Sequence, residues 1–455
     1  MRRSLVLWSA TSALAGFLFG FDTVVISGAE QKIQAIWHLS AGIQGIAIGA
    51  ALYGTVIGAL TGGYPTDRFG RRATLLMIGV LYLLGALGSS LATNVGTFIV
   101  ARVIGGLGIG ISTVAAPLYI AEIAPAGLRG RLAGMFQFNI VFGILIAFLS
   151  NALLARVGEN AWRWMLGVAA VPSLVYTLLC LTLPESPRWL MVRAGRPEAG
   201  RALLRRIRPE ASQAAIEAQA QAILSASTRD SGPGRFWSRR LRKPILLGML
   251  IAFFNQMSGI NAILYFAPRI FRMTGLGAHA ALLDSVGIGL TNLVFTFIGL
   301  WLIDRIGRRT LLFIGSIGYI VSLLLVSWAF YTARYALVPP CIFSFIAAHA
   351  VGQGAVIWVY ISEIFPNRYR AEGQSLGSFT HWTFAALLTS FFPEIVSVFP
   401  TYLVFGFFAL MMMLQLLWVL TMVVETKGVP LEEIQRRLGI QDDATAAGVV
   451  NAQRY

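Results

Sequence analysis

The sequence predicts an all-α membrane protein: twelve transmembrane helices in two six-helix halves, with a small helical segment between them that faces water. Three observations carry this prediction. The chain is 56% hydrophobic and 12% charged, with a mean hydropathy of +0.71, whereas soluble domains run about 45–50% apolar and about 25% charged. It divides into apolar runs of about 20 residues, the length that crosses a hydrocarbon core. Its charged motifs also occur twice, about 240 residues apart.

In chain order the apolar runs are roughly 5–29, 42–64, 73–92, 97–120, 132–156, 163–183, 244–272, 279–303, 310–331, 337–361, 371–395 and 400–424. The first follows Met1-Arg2-Arg3 and is too long for the apolar part of a signal peptide, so it reads as the first span. Between the sixth and seventh lies an arginine-rich segment whose alanine-rich stretch, Glu210 to Ser227, reads as an amphipathic helix. Gly232-Pro233-Gly234 follows it as a breaker. The expected organisation is 1–183 for the first half, 184–243 for a cytoplasmic helical linker, 244–424 for the second half and 425–455 for a cytoplasmic tail.

Charge sets the expected orientation. Net charge is +16, and the arginines cluster between spans two and three, between spans eight and nine, and in the linker. These regions fall on one side, which the positive-inside bias makes cytoplasmic, with both termini there too. That distribution accounts for the basic balance without nucleic acid, and it implies a lipid bilayer as partner. Cys180 and Cys341 each sit in an apolar run, and the four histidines have no ligand spacing, so no metal site is expected. Gly105-Gly106-Leu107-Gly108-Ile109-Gly110 mimics a dinucleotide loop but follows no strand, and close helix packing explains it better.

The repeat is specific. Asp67-Arg68-Phe69-Gly70-Arg71-Arg72 returns as Asp304-Arg305-Ile306-Gly307-Arg308-Arg309, and Glu122 with Arg129 returns as Glu363 with Arg370. Glu185 and Glu425 follow the two blocks. Halves related by an axis along the membrane normal place a binding site at their interface near the midplane.

Asp22 is the anomaly in the first span, because a charge at the bilayer centre costs about 2.5–3.5 kcal/mol. It marks either a helix end at headgroup level or a buried charge with a partner. With span one running outward it lies roughly 10 Å below the outer end, and Arg102 on span four lies roughly 8 Å below the same surface. Similar depth makes the two a natural pair.

These features resemble the sugar porters of the major facilitator superfamily over nearly the whole chain. The resemblance rests on Gly63-Tyr64-Pro65-Thr66-Asp67-Arg68-Phe69-Gly70-Arg71-Arg72, Pro184-Glu185-Ser186-Pro187-Arg188-Trp189-Leu190, Asn255-Gln256-Met257-Ser258-Gly259-Ile260-Asn261 and Glu425-Thr426-Lys427-Gly428, in that order. It implies that Asp22 takes up the coupling proton and that Arg102 tunes it; facilitative relatives carry asparagine at the position of Asp22.

A sugar needs hydroxyl partners and an aromatic face. Among the amides inside the spans, Gln137, Asn255, Gln256, Asn261 and Asn292 are the candidates; Trp358, His381 and Trp382 lie on spans ten and eleven. The residues alone leave ordinary helix–helix hydrogen bonds, and an interfacial position for Trp358, as open alternatives. The resemblance implies that Gln137, Gln256, Asn261 and Asn292 bind sugar hydroxyls and that Trp358 stacks. Asn255 stands where glutamine is usual, and His381 where asparagine or glutamine is common. Gly352 and Gly354 stand where relatives bend span ten with prolines.

Asp67, Arg68, Arg71, Glu122, Arg129 and Glu185, with Asp304, Arg305, Arg308, Glu363, Arg370 and Glu425, fall at inner helix ends. The resemblance implies a network that ties the halves together when the outer side is open. The expected activity is import of a monosaccharide, glucose or a related hexose, with a proton by alternating access. No cofactor is expected beyond the proton as coupling ion, and the monomer is expected to be the working unit. The alternative is a facilitative uniporter in which Asp22 is structural. A sugar sensor and a membrane enzyme are disfavoured, the first by the short tail and the second because the repeated lattice already uses nearly all the acids.

Overall fold

The computed structural model describes residues 3–125, 129–229 and 236–440. The tail from 441 and the Gly232-Pro233-Gly234 breaker lie outside the described residues, as does the side chain of Arg129.

The spans are Arg3–Val25 (span 1), Ala41–Thr61 (span 2), Arg71–Leu91 (span 3), Val95–Ile123 (span 4), Arg129–Leu154 (span 5) and the pair Ala161–Gly167 and Ala170–Cys180 (span 6). The second set is Arg242–Met257 with Ile260–Tyr265 (span 7), Ala278–Ile306 (span 8), Arg308–Tyr331 (span 9), Val338–His349 continued by Ala355–Ile364 (span 10), Arg370–Val398 (span 11) and Thr401–Thr421 (span 12). Among the described residues, 11 helical segments are long and apolar enough to cross a membrane. Span 11, at 29 residues, is long enough but more polar, because it carries Gln374, His381 and several threonines and serines.

Polar side chains start the helices that the sequence could not bound closely. Asn94 Oδ1 accepts from the amide of Thr97 at 3.0 Å at the head of span 4, and Ser40 does the same for Ile43 at the head of span 2. Three helices, Pro187–Val192, Pro197–Ile207 and Gln213–Arg229, connect the halves and pack Met191, Leu204, Ile216 and Ala220 together. Leu203 and Ile207 lie in the core of the first half, and the Arg206 guanidinium sits 5.0 Å from the Trp8 ring. The start of span 1 and the connecting helices therefore share one end of the bundle, here termed the basic face.

Within the first half, span 4 packs on spans 2 and 3, and span 1 on span 5; within the second, span 9 packs on spans 10 and 12, and span 7 on span 11. The halves meet along two seams, span 2 with span 11 and span 5 with span 8. Tyr53 donates to Ser390 Oγ at 3.0 Å across the first, and the Phe138 and Phe297 rings lie 5.5 Å apart across the second.

Two expectations need correction. Span 7 is not one helix from 244 to 272: it breaks at Ser258–Gly259 and ends at Tyr265, after which Ala267–Arg272 forms a separate short helix. Gly259 has φ +86°, a left-handed conformation that glycine adopts freely, and a side chain there would strike the Phe408 ring. Span 1 stops as an α-helix at Val25, not at 29, and tightens into a 3₁₀ turn, Ile26–Gly28, before the short helix Glu30–Ile36.

Candidate functional site

Asp22 and Arg102 are joined. Arg102 Nη1 donates to Asp22 Oδ1 at 2.8 Å and Nη2 to the Asp22 carbonyl at 3.3 Å, with both side chains at least nine-tenths buried. Asp22 Oδ2 and Arg102 Nε have no partner. The pair is thus partly unsatisfied, which keeps each charge costly and responsive to any new neighbour.

The broken span 7 builds the second cluster. Gln256 Nε2 donates to Asn255 Oδ1 at 2.9 Å and lies 3.1 Å from His381 Nε2, while Asn261 Nδ2, just past the break, donates to Gln256 Oε1 at 2.7 Å. The His381 ring stands 5.2 Å from that of Trp358 and 4.7 Å from that of Trp382. Phe19 of span 1 packs edge-on to Trp382 at 5.4 Å, which links the cluster to the other half. Trp382 Nε1 is buried without a partner. Amide donors, amide acceptors, an unused indole N–H and aromatic faces thus converge, the groups a polyhydroxylated ring needs.

Gln137 and Asn292 are not part of this hydrogen-bonded set. Gln137 is half-buried on span 5, and Asn292 is buried on span 8, where its Oδ1 accepts from Thr296 at 3.5 Å. The sequence reading missed Gln374, which donates to the Trp358 carbonyl at 3.0 Å and steadies that end of span 10. It also missed a buried amide relay: Gln353 donates to Gln415 at 2.9 Å, and Gln415 to Ser316 at 2.8 Å. A lone intramembrane amide looks like any helix–helix hydrogen bond, so only the three-dimensional pairing reveals these.

On the basic face the repeated motifs form two near-identical clusters. Arg71 holds Glu122 at 2.8 and 2.9 Å and Asp67 at 3.2 Å; Arg308 holds Glu363 at 3.0 and 2.8 Å and Asp304 at 3.0 Å. Glu185 accepts from the backbone amides of Arg71 and Arg72, and Glu425 from those of Arg308 and Arg309. Each carboxylate therefore sits at the positive N-terminal end of a span. Gly70 and Gly307, at φ +94° and +97°, make the sharp entry, and a Cβ at either would lie within 2.4 Å of the carboxylate. Burial raises the Glu185 carboxyl above the usual range, against the backbone donors that lower it. These contacts all run within one half. Arg68 and Arg305 are exposed, Arg305 lying 3.8 Å from the Trp301 ring, and the Nε of Arg370 is buried without a partner. Among the described residues no group of three or more metal-ligating side chains occurs.

At the opposite face a further ion pair, absent from the sequence reading, joins the halves. Arg269 Nε donates to Glu30 Oε1 at 3.0 Å, and Nη2 donates to Glu30 Oε2 at 2.7 Å and to Gln34 Oε1 at 2.8 Å. Gln44 also donates to Glu30, Arg272 to Gln31, and Arg156 lies 2.9 Å from His279 across the spans 5 and 8 seam. Burial raises the Glu30 carboxyl above the usual range and outweighs the lowering by Arg269. Tyr53–Ser390 at mid-depth and the Glu30–Arg269 group at this face thus both bridge the halves.

Known proteins with this architecture agree in sequence as well. Residues 8–438 match the family model described as "Sugar (and other) transporter". The chain is 36% identical to the arabinose-proton symporter of Bacillus subtilis, covering 95% of this chain and 94% of that one. It is 32% identical to the D-xylose-proton symporter of Escherichia coli, covering 93% and 94%, and 33% identical to the glucose transporter GlcP of Staphylococcus epidermidis, covering 96% and 98%. The partially occluded inward-open structure of the xylose transporter XylE from E. coli superposes with a TM-score of 0.84 at 30% identity, covering 94% of this chain and 100% of that one. The XylE structure bound to 6-bromo-6-deoxy-D-glucose superposes with a TM-score of 0.79 at 32% identity, covering 96% and 100%. With sequence and fold matching over nearly their full lengths, this chain belongs to the sugar transporter family of the major facilitator superfamily.

Proposed function

We propose that this protein imports a monosaccharide, glucose or a related hexose, together with a proton by alternating access. The observation that carries the reading is the buried, partly unsatisfied Asp22–Arg102 pair lying in the same bundle as the Asn255, Gln256, Asn261, His381, Trp358 and Trp382 cluster. Moving Arg102 away strips the Asp22 side chain of its partner inside an apolar span, and the coupling proton takes that partner's place. Relatives named as proton symporters for arabinose and xylose, and others named as glucose transporters, support the sugar class. The hexose assignment rests on Met257-Ser258 after Gln256, by resemblance. Gln137 and Asn292 are assigned to the sugar as groups that join it when the halves close on it.

The basic face is placed in the cytoplasm of a cell inner membrane, with both termini there. On that placement the Glu30–Arg269 contact seals the outer side. The two arginine–carboxylate clusters, each confined to one half here, make the inner contact when the outer side opens. Neither role needs a cofactor or a second copy of the chain.

Sugar-induced current in proteoliposomes, for the native protein and Asp22→Asn across hexoses and pentoses, tests the reading. A current for one sugar, lost in Asp22→Asn while sugar exchange persists, is the expected result. Exchange without current in both proteins overturns proton coupling and leaves a uniporter with a structural Asp22.

A further inference from the structure

Glu30 and Arg269 lie outside the apolar spans, where no lipid forces either out of water. Even so, the Glu30 side chain is 0% exposed and that of Arg269 is 19% exposed. Their burial exists because the two halves meet, since one belongs to the helix after span 1 and the other to the helix after span 7. Their separation of 239 residues, like the 241 between Gln31 and Arg272, falls within the spacing of about 240 at which the internal repeat recurs. The partners therefore occupy equivalent positions in the two halves, astride the axis that relates them. Just beside them a cavity of about 640 Å³, lined by Gln31, Gln34, Arg269, Arg272 and Ser397, reaches the solvent. Parting the halves at this face would expose both charges at once.

A buried ion pair is seldom a strong net stabiliser against a neutral alternative, but an unmatched or repelling charge in the same place is severely unfavourable. The two terms separate what such a pair does: it selects an arrangement more than it strengthens one. We infer that Glu30 and Arg269 key the closed outer seam, so that the halves can seal there only with opposite charges, or one charge and a neutral acceptor, at these two equivalent positions. The inference rests on the alternating-access reading but needs neither the sugar nor the proton.

The reporter is Ser390→Cys, buried in the span 2 and span 11 seam beneath the pair, in a Cys180→Ala/Cys341→Ala background. Its labelling by a membrane-impermeant maleimide from the outer side of right-side-out vesicles is normalised to denatured protein at the same pH. Glu30→Lys and Arg269→Glu should each raise the rate by at least about tenfold, and the double reversal should bring it back to within about twofold of the parent. Glu30→Gln should stay within about twofold, because a neutral amide oxygen still accepts from Arg269. Parental rates in both single reversals overturn the inference, as does a double reversal as reactive as either single. If Glu30→Lys does not reach the membrane, the contrast between Arg269→Glu and the double reversal decides alone. A normal labelling pattern without sugar-induced current would sink the proposed transport reading and leave the key standing. Current with unaltered labelling would do the reverse.

Discussion

At the scale of single residues, the molecule concentrates its risk in two ion pairs placed differently in the chain. Asp22 and Arg102 sit within apolar spans, so removing one partner leaves a buried charge uncompensated at a cost of about 3–5 kcal/mol. Asp22→Ala is therefore expected to lower the thermal unfolding midpoint in detergent more than Asp22→Ala combined with Arg102→Met does. Glu30 makes a pH prediction with a definite sign. Its carboxyl is raised in the closed seam and returns to the ordinary range once opening wets it, so the closed form binds the proton more tightly. Lowering the outer pH from neutral into the raised carboxylate range should slow labelling of Ser390→Cys, and Glu30→Gln should abolish that response. The first pair was legible in the sequence, because two opposite charges at similar depth in apolar runs have few alternatives. The second was not, since either charge alone passes for a headgroup-level residue; its one signal was a separation matching the repeat.

At the scale of elements, the irregularities matter most. Span 7 breaks so that Asn261 can turn back onto Gln256. Gly259→Ala combines an unfavourable φ with a Cβ 2.6 Å from the Phe408 ring, and should cost roughly 1–3 kcal/mol. Equilibrium sugar binding, followed by the fluorescence of Trp358 and Trp382, should weaken accordingly. Span 10 is interrupted by a π-turn, Ala350–Gly354, which contains Gly352 and Gly354. His349, at its head, lies 2.7 Å from the Tyr319 hydroxyl, and Gln353 anchors it to span 12. Apolar periodicity located these spans; it could not show the breaks, because a π-turn and a left-handed glycine leave no mark on hydropathy. Span 11 illustrates the converse, a helix whose polar contents weaken the very signal used to find it.

At the scale of the whole molecule, the repeat foretold two halves, and their closest approach is where small side chains let backbones meet. A Cβ on Gly45 would fall 1.7 Å from the Ser390 carbonyl oxygen across the span 2 and span 11 seam. Gly45→Trp should hold that face apart, seen as a loss of net transport with continued access of outer-side reagents to the seam. Which face is shut was not legible, because a sequence encodes both arrangements of a two-state machine and the choice lies in contacts between distant segments. The doubled clusters around Arg71 and Arg308 carry one more consequence. Each anchor, from the capping carboxylate to the arginine it steadies, comes from six spans and the segment directly after them, so neither set borrows a part from the other. The polypeptide could then be delivered in two pieces. Fragments ending at Arg229 and beginning at Phe236, made in the same cell, should find each other in the bilayer and co-purify as a working transporter, a complementation that gene duplication would have left behind as its by-product.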